Sequence, residues 1–264
     1  MIISHKYRFI FVRTRKVASS SLETVLAQYL EKSDYATRQS ERERAQGRLF
    51  PQCDSRVFGG FKRPFKPIFL YGHAPVTAAF DLFRERVADY TVFTVERNPW
   101  DRAVSTFYWA NKKTDLRSLP LSEQINAFRA YVQSVAKPGW KRRYLGISAH
   151  RDFSQRQLYC IGEVAIPDVM LRFEHIAQDL ADLSARLGLQ PAANIADVRL
   201  KTQHRSAHSR DYTAFYDDQS RAIVADACAW EIEHLKYRFG APAPKPFVPD
   251  PQREAVKRAY LASL

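Results

Sequence analysis

Tyr7-Arg8-Phe9-Ile10-Phe11-Val12 runs directly into Arg13-Thr14-Arg15-Lys16-Val17-Ala18-Ser19-Ser20-Ser21-Leu22. The first six residues read as a buried strand. Three cations and three serines follow it and open a helix, because Leu22, Val25, Leu26, Tyr29 and Leu30 recur at helical spacing from about Ser20. A helix N-terminus presents unpaired backbone N–H groups and the positive end of the helix dipole, so this arrangement suits a phosphate or sulfate. The serines add donors and Lys16 adds a compact positive charge. The loop lacks the glycines of the G-x-x-x-x-G-K-[ST] phosphate loop. Taken alone it fits a solvated turn with a serine cap about as well as an anion site.

Further along the chain the pattern repeats. Ile68 to Tyr71 is a short apolar run ending at Gly72-His73, and Pro75 then opens a helix to about Arg86. Tyr90 to Glu96 is the clearest strand, rich in β-branched and aromatic residues. It stops at Asn98-Pro99, a helix cap followed by a proline suited to the first helical position, with Asp101 where a capping acid belongs. Helices are expected to about Asn111, over Leu121 to Val135, and along the Ile176, Leu180, Leu183 and Leu187 stripe that Gly188 ends. Val169 to Phe173 reads as a strand, and a long helix lined by Ile223, Val224, Ala227, Cys228 and Leu235 runs to about Tyr237. Strands alternating with helices predict an α/β layer fold with a mainly parallel sheet, in which ligands sit at the carboxyl ends of strands. Three candidate segments follow three expected strands: Arg13–Ser21, Gly72-His73 and Arg97–Ser105. They are therefore expected to meet on one edge. A single domain over 1–240 is expected, followed by a Pro-rich arm and short helix over 241–264.

The chain has 264 residues and a formal charge of +13, from 41 Lys and Arg against 28 Asp and Glu. Such an excess attracts anionic partners over a screening length of roughly 10 Å. No apolar run reaches the length of a membrane span, and polar Ser4, His5 and Lys6 interrupt the start, so a cytoplasmic protein without stable membrane insertion is expected, or the catalytic part of a membrane-anchored one. Cys53, Cys160 and Cys228 are odd in number and far apart, which fits plain thiols in a reducing compartment and offers no metal-ligand spacing.

Two segments together carry a family resemblance. Lys16-Val17-Ala18-Ser19-Ser20-Ser21-Leu22-Glu23 resembles the 5′-phosphosulfate loop, K-T-A-G-T-S-I-E, of sulfotransferases that use 3′-phosphoadenosine 5′-phosphosulfate (PAPS). Val95 to Ser105 resembles their 3′-phosphate motif, V-R-N-P-x-x-R-x-x-S, and lies roughly 80 residues further on, as in that family. Tyr71-Gly72-His73, Ser154-Gln155, Leu171-Arg172-Phe173-Glu174 with Asp179-Leu180, and Lys236-Tyr237-Arg238-Phe239 resemble later landmarks of its carbohydrate branch. Two departures stand out: Ser19 replaces the usual glycine, and Glu96 precedes Arg97 where an apolar residue is commoner.

The resemblance implies a P-loop-like three-layer fold and sulfuryl transfer from PAPS to an acceptor hydroxyl, giving 3′-phosphoadenosine 5′-phosphate (PAP) without a metal. Such transfer resembles phosphoryl transfer, where positioning and charge stabilisation do the catalysis. Lys16 then stabilises charge on the departing 5′-phosphate, with Arg15, Ser19, Ser20 and Ser21 around it. Arg97 and Ser105 hold the 3′-phosphate, and Arg205 and Ser206, in a late basic loop, are expected as further nucleotide contacts. His73 is the expected base; Glu23 is a second candidate, otherwise a first-turn helix acid. Aromatics within the basic 56–66 and 137–151 segments point to a saccharide acceptor, an acidic one included. Two rival readings remain: a P-loop-type kinase or nucleoside triphosphatase, and a non-catalytic binder of polyanions. No nucleic-acid motif is present, so a nucleic-acid partner is not expected.

Overall fold

A hairpin starts the chain: β1 (Ile2–Ser4) pairs antiparallel with β2 (Phe9–Phe11), with Ile3 opposite Ile10. The computed structural model describes residues 1–31, 33–37, 53–54, 57–63, 66–70, 72–136, 153–194 and 211–264. The expected first strand over Tyr7 to Val12 is thus shorter, and a strand unread in the sequence precedes it. Residues 5–8 carry no Asn-Gly or similar turn signal; Arg8 takes the left-handed conformation (φ 52°). A buried carboxylate stabilises the turn instead, since Asp34 accepts from the Ser4 hydroxyl (3.1 Å) and the His5 amide (2.6 Å).

Among the described residues the sheet has six strands in the order β10 (Val169–Arg172), β7 (Thr91–Glu96), β2, β1, β3 (Tyr35–Thr37) and β4 (Cys53–Asp54), while β8 (Cys160–Ile161) and β9 (Val164–Ala165) form a separate pair. β10, β7 and β2 run parallel, with Ile10 opposite Val92 and Leu171 opposite Val95. β1 is antiparallel to both neighbours, and β3 and β4 are parallel. Phe9, Ile10, Phe11, Val92, Phe93 and Val95 are all fully buried, as expected for parallel strands covered on both faces. The fold is α/β, a mixed sheet with mostly parallel central strands flanked by helices.

One expected strand lies elsewhere. Lys66–Leu70 (β6) pairs with Val57–Arg63 (β5) in a separate two-stranded hairpin, so Gly72-His73 follows a hairpin and not the central sheet. An apolar run shows burial but not which strand it pairs with.

The chain divides into two compact units. The first comprises Met1–Glu96, Arg156–Leu200 and Pro246–Leu264 and holds the whole six-stranded sheet. The helix Ser19–Leu26 packs Leu22, Val25 and Leu26 into its core with Phe11 and Phe93, whose rings stack at 5.1 Å. Burial of each such side chain stabilises by about 1.5–3 kcal/mol. The helix Ile176–Leu187 adds Leu180 and Leu183. Gly188 ends it at φ 66°, so that the Leu189 amide reaches the Ser184 carbonyl at 3.0 Å, a conformation glycine adopts without a Cβ penalty. The C-terminal helix Arg253–Ala262 is part of this unit: Arg253 pairs with Asp168, and the Tyr260 hydroxyl donates to Asp81 (2.6 Å).

The second unit comprises Arg97–Gln155 and Lys201–Lys245. Its helices Pro99–Ala110, Leu121–Ala136 and Asp218–Ala227 enclose an aromatic core in which Phe128 meets Phe107, Phe215 and Tyr216 edge-on. The long helix expected up to Tyr237 is broken. Asp218–Ala227 ends at Cys228 (φ −115°, ψ 25°), and Ala229–Leu235 starts anew. No Gly or Pro marks the break. Its cause is tertiary: it falls beside the buried Arg102, which Cys228 and Glu231 both approach.

Candidate active site

The loop after β2 is stitched to the end of β7. Val12 donates to the Phe93 carbonyl (2.9 Å), Thr94 donates back to the Val12 carbonyl (2.8 Å), and the Thr14 hydroxyl donates to the Val95 carbonyl. Beyond Thr14 the backbone turns sharply. Lys16 (φ 62°) and Ala18 (φ 59°, ψ 20°) are left-handed, whereas Val17 between them is not. Successive residues of opposite hand aim their N–H groups into one concavity, a common anion cradle. Non-glycine residues there cost about 1–2 kcal/mol each, and such strain clusters at functional loops. The loop therefore fits a phosphosulfate group. Ser19, in place of the family glycine, is already the first residue of the helix Ser19–Leu26, where no left-handed conformation is needed. Ser20 is half-buried and Ser21 buried on that helix's first turn.

Arg13 organises the surroundings. Its side chain is buried; Nη1 pairs with Glu23 Oε2 at 2.8 Å, and Nη2 donates to the Ser20 hydroxyl at 3.1 Å. Its backbone carbonyl lies 3.0 Å from His73 Nδ1. A carbonyl only accepts, so Nδ1 carries the proton and Nε2 keeps its lone pair. Burial, then the charges of Arg13 and Arg15, lower the His73 pKa to about 3, against a smaller upward effect of the carbonyl hydrogen bond. His73 is therefore neutral around pH 7. Glu23 is corrected from a first-turn acid to a core residue: it is the fifth residue of its helix, 1% exposed, and held by Arg13. A carboxylate so buried and paired is a poor proton acceptor for a substrate.

In the second unit, Asn98 caps the helix Pro99–Ala110 as the sequence predicts, accepting from the amides of Trp100 (3.1 Å) and Asp101 (3.4 Å). Arg97 is 5% exposed, and its Nε and Nη2 both reach Asp101 Oδ2 at 2.5 Å. Asp101 and Ser105 are four residues apart on that helix and so share a face. Arg97, Asp101 and Ser105 thus form a row, with the guanidinium oriented by a carboxylate at its first turn.

Arg102, the second arginine of the motif, has a different position. It is 3% exposed, donates to the Phe153 carbonyl (2.7 Å) and lies 3.6 Å from Glu231, which also accepts from the Gln155 amide (2.7 Å). Arg102→Ala leaves a buried carboxylate without its cation, so chemical denaturation should show a loss of about 3–5 kcal/mol, the usual cost of breaking a buried pair. The double change Arg102→Met with Glu231→Gln should recover a good part of it. Among the later landmarks, Arg172 is clamped by Asp179 (2.5 and 2.9 Å), and Phe239 sits edge-on between Trp100, Tyr212 and Tyr216.

Arg205 and Ser206 lie outside the described residues, as do Tyr71, the 137–151 segment and the side chains of 56–66. Among the described residues no group of three or more His, Cys, Asp or Glu could hold a metal, and no helix is long and apolar enough to cross a membrane. Sequence reading missed the centrality of Arg13. Its only local signal was its place at the end of a buried strand, three residues before Lys16.

No curated protein and no solved structure matches the chain. A sequence model described as the sulfotransferase family matches residues 1–238, which takes in the 13–21 loop, His73 and the Arg97–Ser105 row. With that span covering most of its length, the chain belongs to the sulfotransferase family and is a sulfuryl transferase.

Proposed function

We propose that this sulfotransferase uses PAPS as donor and transfers its sulfuryl group to a hydroxyl of a carbohydrate, releasing PAP. The observation that carries the reading is the 13–21 loop, a turn of alternating hand that contains Arg13, Arg15, Lys16, Ser19, Ser20 and Ser21. In this reading Ser20, Ser21 and the loop N–H groups hold the 5′-phosphate, and Arg15 and Ser19 support them. Lys16 stabilises the charge that grows there as the donor's S–O bond breaks. Arg97, oriented by Asp101, and Ser105 take the 3′-phosphate, and Arg205 and Ser206 add contacts. His73 Nε2 takes the acceptor's hydroxyl proton while the acceptor oxygen bonds to sulfur, and the electron pair of the broken S–O bond leaves on PAP. The net charge of +13 supports an anionic acceptor such as an acidic saccharide. Three cysteines far apart in the sequence, odd in number, support a cytoplasmic, reducing setting.

Thermal unfolding with PAP tests the donor. A ligand at 100 times its Kd adds about 2.7 kcal/mol to apparent stability, which for a chain of this size raises Tm by roughly 5–10 °C. Adenosine 5′-phosphate, lacking the 3′-phosphate, should give a much smaller rise. A rise with ATP and magnesium and none with PAP would overturn the reading in favour of a triphosphate enzyme. His73→Ala should keep the PAP response and lose most transfer.

A further inference from the structure

Arg13 touches both halves of the chemistry through different atoms. Its guanidinium lies on Ser20, a hydroxyl assigned to the donor's 5′-phosphate, while its carbonyl fixes the proton of His73 on Nδ1. The guanidinium also lies against the His73 segment itself, since a Cβ on Gly72 would sit 3.6 Å from Nη1. Glu23 fixes the guanidinium from the other side at 2.8 Å. Nothing in a phosphate-binding loop requires its buried arginine to be tethered to the imidazole as well.

We propose that Arg13, held by Glu23, is a positioning residue that couples the donor's anionic end to His73, so that the imidazole becomes an effective base only when the donor is in place. This inference rests on the donor reading above. The titratable and charged groups facing His73 are Arg13 and Arg15 from the loop and the Met1 amine, which donates to the Gly72 carbonyl at 3.1 Å and whose own pKa burial lowers to about 4. The two guanidiniums disfavour the imidazolium; the Met1 amine is neutral near pH 7 and adds little, and Glu23 is paired with Arg13. A phosphate on Ser20 places negative charge beside the same guanidinium. It offsets the repulsion, and the affinity of Nε2 for a proton rises. Without donor the base is weak, and the acceptor hydroxyl is not deprotonated to no purpose. With donor the base is stronger, and the incoming proton makes a cation next to an anion.

The titration of His73 tests this without any measurement of turnover. Imidazole nitrogen NMR on the full chain, assigned with His73→Gln, should show the neutral Nδ1–H form with no protonation down to pH 5. With PAP bound, the midpoint should rise by about 1–3 pH units, the effect of an opposite charge at close range. In Arg13→Gln with Glu23→Gln, which keeps an uncharged hydrogen-bonding pair, the midpoint should rise without PAP, and PAP should then add little. If PAP raises Tm and the His73 midpoint stays put, the coupling is wrong and the donor reading stands. If PAP does not bind, the donor reading falls and takes the coupling with it. Should the double variant fail to fold, the wild-type titration with and without PAP decides alone.

Discussion

Lys16→Ala is expected to lower turnover by about 10²–10³-fold, the usual cost of removing one group that stabilises transition-state charge. PAP affinity should fall far less, within about fivefold, because one part-exposed ion pair is worth about 1 kcal/mol or less. The difference follows from where donors to the anion come from. The Lys16 backbone is left-handed and its loop is pinned by Val12, Thr14 and Thr94 to β7, so the cradle of N–H groups survives truncation of the side chain. Ser20 and Ser21 also remain. What is lost is the Lys16 ammonium, a compact charge that stabilises the bridging oxygen as charge grows on it. Steady-state kinetics beside PAP titration separates these effects: equal losses in rate and affinity would make Lys16 a ground-state ligand and remove it from its catalytic role.

Arg97→Ala is expected to act on binding. A buried, carboxylate-oriented guanidinium that grips a phosphate contributes a charge-assisted interaction of about 1.5–3 kcal/mol, so PAP affinity should drop roughly 10–150-fold. The variant carries a second effect, because Asp101 loses its partner in a largely buried place and stability falls by about 3–5 kcal/mol. Arg97→Gln with Asp101→Asn separates the two: an uncharged hydrogen bond replaces the ion pair, stability recovers, and PAP affinity stays low. Calorimetry on both variants reads the result. Recovery of PAP binding in the double variant would mean that Arg97 serves only to balance Asp101. Adenosine 5′-phosphate offers a further check, since its weaker affinity should be nearly the same in wild type and variants.

The strand, loop and helix at the start of the chain were legible because each signal is local. Apolar residues run together where both faces of a strand are covered, and helical spacing begins where the serines end. The cap at Asn98 and the stop at Gly188 were legible for the same reason: each is a backbone demand met by a residue a few positions away. Lys16, Ser20, Ser21, Arg97 and Ser105 could be singled out because two spaced motifs named them. Glu23 could not be read correctly. Its sequence neighbours say "helix acid", and only Arg13, ten residues back across a turn, shows it to be a buried counter-ion. Arg102 is the same case at longer range, since Glu231 and Phe153 are far from it in sequence.

By itself the sequence determined the α/β class and most helix boundaries, which depend on spacing within a few turns of chain, and it singled out the two motifs and His73 on which the proposed function rests. Tertiary structure alone decided that Ile2–Ser4 enters the sheet antiparallel, that β6 leaves it for a hairpin, and that the helix breaks at Cys228. It also decided that Arg13 joins Glu23, Ser20 and His73. Strand partners and buried ion pairs are chosen by the free energy of surfaces that meet only after the chain has folded, and a linear pattern carries no record of which surfaces those are.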